Sequence, residues 1–149
     1  MSDRIQRKAE IVRCICILEN KIKGTGKNNA VQIILPQNQI NRESDIYIMQ
    51  LGDSHKVCQK GYNLAIISTH KEKDNIEEDL KVAFELIGPY KHKFVMTETR
   101  YECKDYKDGI FVTATLDATS HFESAAEDVE RIYKSLTNKN LDLSLPESK

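Results

Sequence analysis

Apolar runs alternate with polar turns along this chain, and their spacing predicts most of its elements. In IVRCICIL (residues 11–18), Val12, Cys14, Cys16 and Leu18 fall on one face of an extended segment. Ile11, Ile15 and Ile17 fall on the other, with Arg13 the exception. Apolar groups on both faces predict a central strand. A helix entering from SDRIQRKAE is the rival reading of residues 4–18. KGTGKNN (23–29) is rich in turn formers, and AVQIILP (30–36) reads as the next strand, stopped by Pro36, which has no N–H for a ladder. After the polar loop QNQINRESD, IYIMQL (46–51) reads as a third strand. GDSHKVCQKG is a loop, and YNLAIIST (62–69) a fourth strand.

The period then changes. In DNIEEDLKVAFELIG, Asp74 and Glu77 have the spacing of a capping box. Ile76, Leu80, Ala83, Phe84 and Ile87 form a helical stripe that Gly88-Pro89 ends. KFVMTETRYECKDYKDGIFVTATLDA reads as a hairpin turning at Asp108-Gly109. Its second arm alternates, with Ile110, Val112, Ala114, Leu116 and Ala118 expected inward and Phe111, Thr113, Thr115 and Asp117 outward. A second capping box, Ser120 to Glu123, opens a last helix. Phe122, Ala125, Val129, Ile132, Tyr133 and Leu136 are its expected buried stripe. Glu127–Arg131 and Glu130–Lys134 are spaced to pair on the other side.

The order β-β-β-β-α-β-β-α lacks regular βαβ alternation. It predicts an α+β fold, a mainly antiparallel sheet of about six strands with two amphipathic helices. The expected organisation is a single domain over residues 1–137 and a flexible tail over 138–149. No repeat or interdomain linker interrupts it.

Composition narrows the class. With 149 residues, 40% of them hydrophobic and 30% charged, the chain can bury a core and is neither disordered nor membrane-embedded in character. A formal charge of −1 lacks the basic excess with which a dedicated duplex-DNA binder neutralises phosphates. The apolar run near the start is short for a membrane span and no cleavage site follows it. The expected compartment is intracellular, cytoplasmic or nuclear, with Cys14, Cys16, Cys58 and Cys103 reduced.

Candidate chemistry is sparse. Cys14, Cys16, His55 and Cys58 supply the four soft ligands a tetrahedral zinc site needs. Two cysteines side by side on a strand are more simply explained as small buried hydrophobes. KGTGK lacks the four-residue spacing and following helix of a phosphate-binding loop. Cys103 and His92 could form a thiol–imidazole pair, but nothing else marks a reactive thiol. The acidic cluster Glu72, Asp74, Glu77, Glu78 and Asp79 sits at a helix start, where the dipole favours it. Neither a catalytic residue, a metal nor a cofactor is assigned.

Two surfaces suggest binding instead. The outward hairpin face carries Phe111, Thr113 and Thr115, with Thr97, Thr99 and Tyr101 on the facing arm. The tail carries Leu141, Leu143 and Leu145 at strand spacing, suited to adding a strand to a partner's sheet. The expected function is a non-catalytic binding or adaptor subunit whose partner is another protein. One alternative is a nucleic-acid-associated subunit with an oligonucleotide-binding barrel, which the net charge does not favour. The other is a small pocket enzyme using cysteine and histidine.

Overall fold

Ile5–Leu18 form one continuous strand, β1, in the computed structural model, which describes residues 4–104, 109–119 and 122–144. The rival helix over residues 4–18 is not formed: Ile11, Val12, Ile15 and Ile17 favour the pleated surface, where branched side chains lose less freedom. Two compact units are distinguished, Ala9–Thr99 and Met1–Lys8 with Arg100–Lys149.

In the Ala9–Thr99 unit, β2 is Ala30–Leu35, β3 Ile46–Gly52, β4 Asn63–His70 and β5 begins at His92, running on to Cys103. Sheet order is β2-β3-β4-β1-β5. β2 pairs β3, β3 pairs β4 and β4 pairs β1, all antiparallel. The Lys91 amide donates to the Ile17 carbonyl at 2.8 Å, and Lys104 to Arg4 at 2.8 Å, so β5 is antiparallel to β1 as well. With β2 and β5 at opposite edges the sheet is open. This corrects the barrel alternative, in which the edge strands would close on each other.

One sheet face is a closed core. Val12, Cys14, Cys16 and Leu18 of β1 pack with Ile46 and Ile48 of β3 and Ala65 and Ile67 of β4, beneath Leu80, Ala83 and Ile87. The last three lie on or between α2 (Ile76–Asp79) and α3 (Lys81–Ile87), so the expected stripe does face the sheet. Its start and continuity differ from expectation. Asn75 is the cap, its side chain accepting from the Glu77 amide at 3.1 Å, whereas Asp74 pairs with Lys71. The helix breaks at Leu80 because the Asp79 carbonyl accepts from Arg42 at 2.7 Å. A short helix unmarked by the pattern, α1 (Gln37–Ile40), occupies part of the expected loop. Gly24 and Gly26, both at positive φ, turn the chain between β1 and β2, as the KGTGK turn reading requires.

In the second unit, residues 110–117 form no regular strand, so among the described residues five strands stand where about six were expected. The physical reason is local. The Thr115 amide donates to the Tyr101 carbonyl at 3.1 Å. The Tyr101 amide, however, donates at 3.0 Å to the Thr115 hydroxyl rather than to a ladder carbonyl. The expected alternation fails with it: Ile110 and Leu116, read as inward, are exposed, while Ala118 is buried. Helix α4 spans Phe122–Thr137. Its expected stripe is not buried, because no described residue of α4 is: Phe122 is 94% exposed, Val129 57% and Leu136 62%. Arg131 pairs with Asp128, one turn back. Asp108, Ser120 and Leu145 lie outside the described residues.

Candidate functional site

The second face of the sheet has no helical layer among the described residues of its unit. The strand period puts Ile15 and Ile17 of β1, Ile34 of β2, Tyr47, Met49 and Leu51 of β3, and Leu64 and Ile66 of β4 on this side. Register aligns them in rows, Met49 opposite Ile66 opposite Ile15, and Leu51 opposite Leu64 opposite Ile17. Arg13 reaches Glu98 at 3.5 Å, and His92 lines a hollow with Ile17 and Leu64. Both contacts turn His92 and Glu98 to this side, and Phe94 and Met96, alternating between them, come with them. Phe94 is 56% exposed and Met49 41%, and Ile34 and Met96 are exposed to a similar degree.

At one end of this face lies the hollow, about 270 Å³, lined by Ile17, Val57, Cys58, Tyr62, Leu64, Lys91 and His92 among others. The Cys58 thiol donates to the Tyr62 carbonyl at 3.2 Å, and Lys91 donates to the Tyr62 hydroxyl at 2.8 Å. That hydroxyl holds the Lys91 ammonium above its ordinary range.

The four thiol and imidazole groups weighed as zinc ligands are not brought together. Cys14 and Cys16 lie in the core with no exposure, sulfurs 3.7 Å apart. The hydrogen bond to Cys16, followed by burial, pushes the Cys14 thiol up, away from the thiolate that binds metal or attacks an electrophile. His55 is exposed at the end of the short 3-10 turn Asp53–His55, and Cys58 is engaged by Tyr62. Among the described residues no group of three or more His, Cys, Asp or Glu side chains could hold a metal ion. Cys103 is half-buried.

Of the acidic cluster, Asp79 alone is buried, and its partner is Arg42. This guanidinium, with a side chain only 7% exposed, bonds the Asp79 carboxylate, the His70 carbonyl at 2.9 Å and Glu72 at 3.3 Å. It ties α2 to the end of β4. The separation of 37 residues hid the pair from sequence reading.

In the second unit, Tyr101 and Thr113 are exposed, and Phe111 and Thr115 half-buried. Thr113 and Thr115 line a hollow of about 370 Å³ with Arg100, Leu116, Asp128 and Val129 among others. In the tail, Leu141 is half-buried and Leu143 exposed. The open sheet face went unrecognised, although Phe94 and Met96 alternate in the sequence, because alternation does not say which face stays uncovered.

What these features define is a protein of contact surfaces: an open sheet side, an exposed helix stripe, and thiols and carboxylates engaged in folding. A family model described as "GDI: GDP dissociation inhibitor" matches residues 1–147. The chain belongs to the GDP dissociation inhibitor family. It is 40% identical over 144 residues to Rab GDP dissociation inhibitor beta of Canis lupus familiaris, across 95% of this chain and 32% of the relative. It is 42% identical over 135 residues to the Rab GDP-dissociation inhibitor of Saccharomyces cerevisiae, across 89% of this chain and 30% of that one. A crystal structure of a Rab GDI from Plasmodium falciparum superposes with a TM-score of 0.89 at 41% identity, over 94% of this chain and 32% of the other. The chain thus spans about a third of the length of the curated relatives it matches. No helix among the described residues is long and apolar enough to cross a membrane.

Proposed function

We propose that this chain binds a Rab GTPase in its GDP-loaded form, as part of a GDP dissociation inhibitor, and does so without catalysis. The observation that carries this reading is the family match over residues 1–147, supported by relatives whose names specify Rab. A protein that binds the GDP-loaded partner more tightly than the nucleotide-free one must, by linkage, tighten GDP binding by the same factor. No reacting group is needed for that. Its only requirement is a surface that discriminates two states of the partner. The adaptor reading made from the sequence becomes specific in this way.

The contact residues we propose are Tyr101, Phe111, Thr113 and Thr115, with Leu141, Leu143 and Leu145 of the tail. An exposed tyrosine beside hydroxyl groups suits an interface, where aromatic anchors carry a large share of the binding energy.

The test is titration of the chain against a Rab GTPase loaded with GDP or with a non-hydrolysable GTP analogue. A preference of about tenfold or more for the GDP form is expected, reduced by Tyr101→Ala. Equal affinity for the two forms, or no binding to either, contradicts the proposal.

A further inference from the structure

We propose that one end of the sheet, crowded with lysines, docks the chain peripherally on an anionic lipid surface. Three connections leave the sheet at this end. Gly52 of β3 lies opposite Asn63 of β4, and Asn63 opposite Leu18 of β1. Ala30 opens β2 beside Leu51, and the Lys91 amide meets the Ile17 carbonyl where β5 begins. Residues 19–29, 53–62 and 88–91 therefore share one end of the Ala9–Thr99 unit. They carry Lys21, Lys23, Lys27, Lys56, Lys60 and Lys91 against two carboxylates, Glu19 and Asp53. In a chain of formal charge −1 this is a strong local excess of positive charge.

Pairing sharpens the contrast with the other end of the same sheet. There Arg42 meets Asp79 and Glu72, Lys71 meets Glu10 and Asp74, and Lys73 meets Glu78. At the lysine end, Lys91 reaches Glu19. Lys21 donates to the Lys27 carbonyl at 2.9 Å and to Asn29 at 3.0 Å, neutral partners that leave its charge uncancelled. Lys23, Lys27, Lys56 and Lys60 are exposed and form no ion pair among the described residues. Their loops are held in place. The Gly61 amide donates to the Asp53 carboxylate at 3.0 Å, and the Gly52 amide to the Asn29 carbonyl at 2.6 Å.

Three features favour a bilayer over a nucleic acid or an acidic protein. Every cation in these loops is a lysine, and arginine, whose planar fork reads a phosphate or carboxylate in fixed geometry, is absent from them. The rings of Tyr62 and Tyr90 are covered by ammonium groups, Lys91 at 5.0 Å and Lys93 at 5.4 Å, which leaves bases no free platform to stack on. Between Lys56 and Lys60 stands Val57, 47% exposed. An apolar side chain set among basic ones suits the boundary between headgroups and acyl chains. Such contact needs no spanning helix, and none is present among the described residues.

The test is sedimentation of the chain with vesicles of phosphatidylcholine, alone or mixed with phosphatidylserine. Binding is expected to the mixed vesicles only, and is lost at about 1 M salt, where charges are screened beyond about 3 Å. A lysine close to an anionic surface strengthens binding about fivefold. Lys56→Gln/Lys60→Gln should therefore weaken binding about twentyfold. Lys71→Gln/Lys73→Gln, an equal change of charge at the other end, should weaken it less than about threefold. Circular dichroism checks that both variants fold. The chain has no tryptophan, so Val57→Trp adds a single reporter. Its emission should shift to the blue on the mixed vesicles and stay unchanged with heparin, a soluble polyanion.

Three results overturn the proposal. The first is no binding to the mixed vesicles, or equal binding to both kinds. The second is an equal loss in the two lysine variants. The third is tighter binding to single-stranded RNA than to the mixed vesicles with the Val57→Trp emission unshifted, which would make the occupant a nucleic acid. No GTPase is present in these measurements, so they stand or fall apart from the Rab reading.

Discussion

Ile48 and Met49 are neighbours on β3 and point to opposite sides of the same sheet. Ile48 is sealed under α2 and α3, while Met49 faces outward with 41% of its surface exposed. Both faces are apolar, so composition does not distinguish them. The difference is fastening. On the closed face, three polar devices hold the helical layer down: Arg42 on Asp79, the Asn75 cap, and Lys93 beside Glu77. On the open face, Arg13 reaches Ser68 and Glu98 of the other strands, and ties down no helix there. An apolar sheet side becomes core when a covering element is anchored to it, and otherwise stays exposed.

The strongest way to break this contrast is to unfasten the closed face. Arg42→Ala removes the only ion partner of the buried Asp79 carboxylate among the described residues, leaving it the hydrogen bond from the Glu72 amide at 3.1 Å. It should cost about 3–5 kcal/mol in urea denaturation, the usual penalty for breaking a buried ion pair from one side. A loss no larger than that of an ordinary surface substitution would show that the helices stay down without Arg42. Next, Asn75→Ala removes the acceptor for the Glu77 amide and should cost about 1 kcal/mol. Asp74→Ala, at the position the sequence pattern favoured as cap, should cost less, which denaturation of the two variants side by side can check.

The smallest effect is electrostatic. Glu77, foremost, holds the Lys93 ammonium above its ordinary range. A raised folded-state pKa means that the folded protein keeps its proton longer than the unfolded chain. The contribution is therefore fully present below the unfolded lysine pKa of about 10.4 and is lost as pH rises through the folded value. Stability measured at neutral and at strongly alkaline pH should fall more for the wild type than for Lys93→Met. Parallel curves would remove Lys93 from the fastening.

How much of this the sequence disclosed follows from the range of each interaction. The IVRCICIL run announced a two-sided central strand because period-2 alternation is a local property, and Cys14 and Cys16 were placed in the core on the same ground. Pro36 and Gly88 marked real ends for local steric reasons. The α4 stripe was correctly seen as apolar and incorrectly read as buried, since periodicity says which side is apolar and nothing about what covers it. The expected strand over 110–118 failed through one hydroxyl, that of Thr115, competing for the Tyr101 amide. Arg42–Asp79 joins residues that only the fold brings together. The open side of the sheet was illegible for the same reason: Met49 and Phe94 share a face through register, and register is not written in either segment alone.

The most direct measurement of the central claim compares Ile48→Ala and Met49→Ala by urea denaturation under identical conditions. The account predicts a loss of about 2–5 kcal/mol for Ile48→Ala, from lost burial and the cavity left behind, and a change within about 0.5 kcal/mol for Met49→Ala. Equal losses at the two positions would mean that both faces are core, and would contradict it.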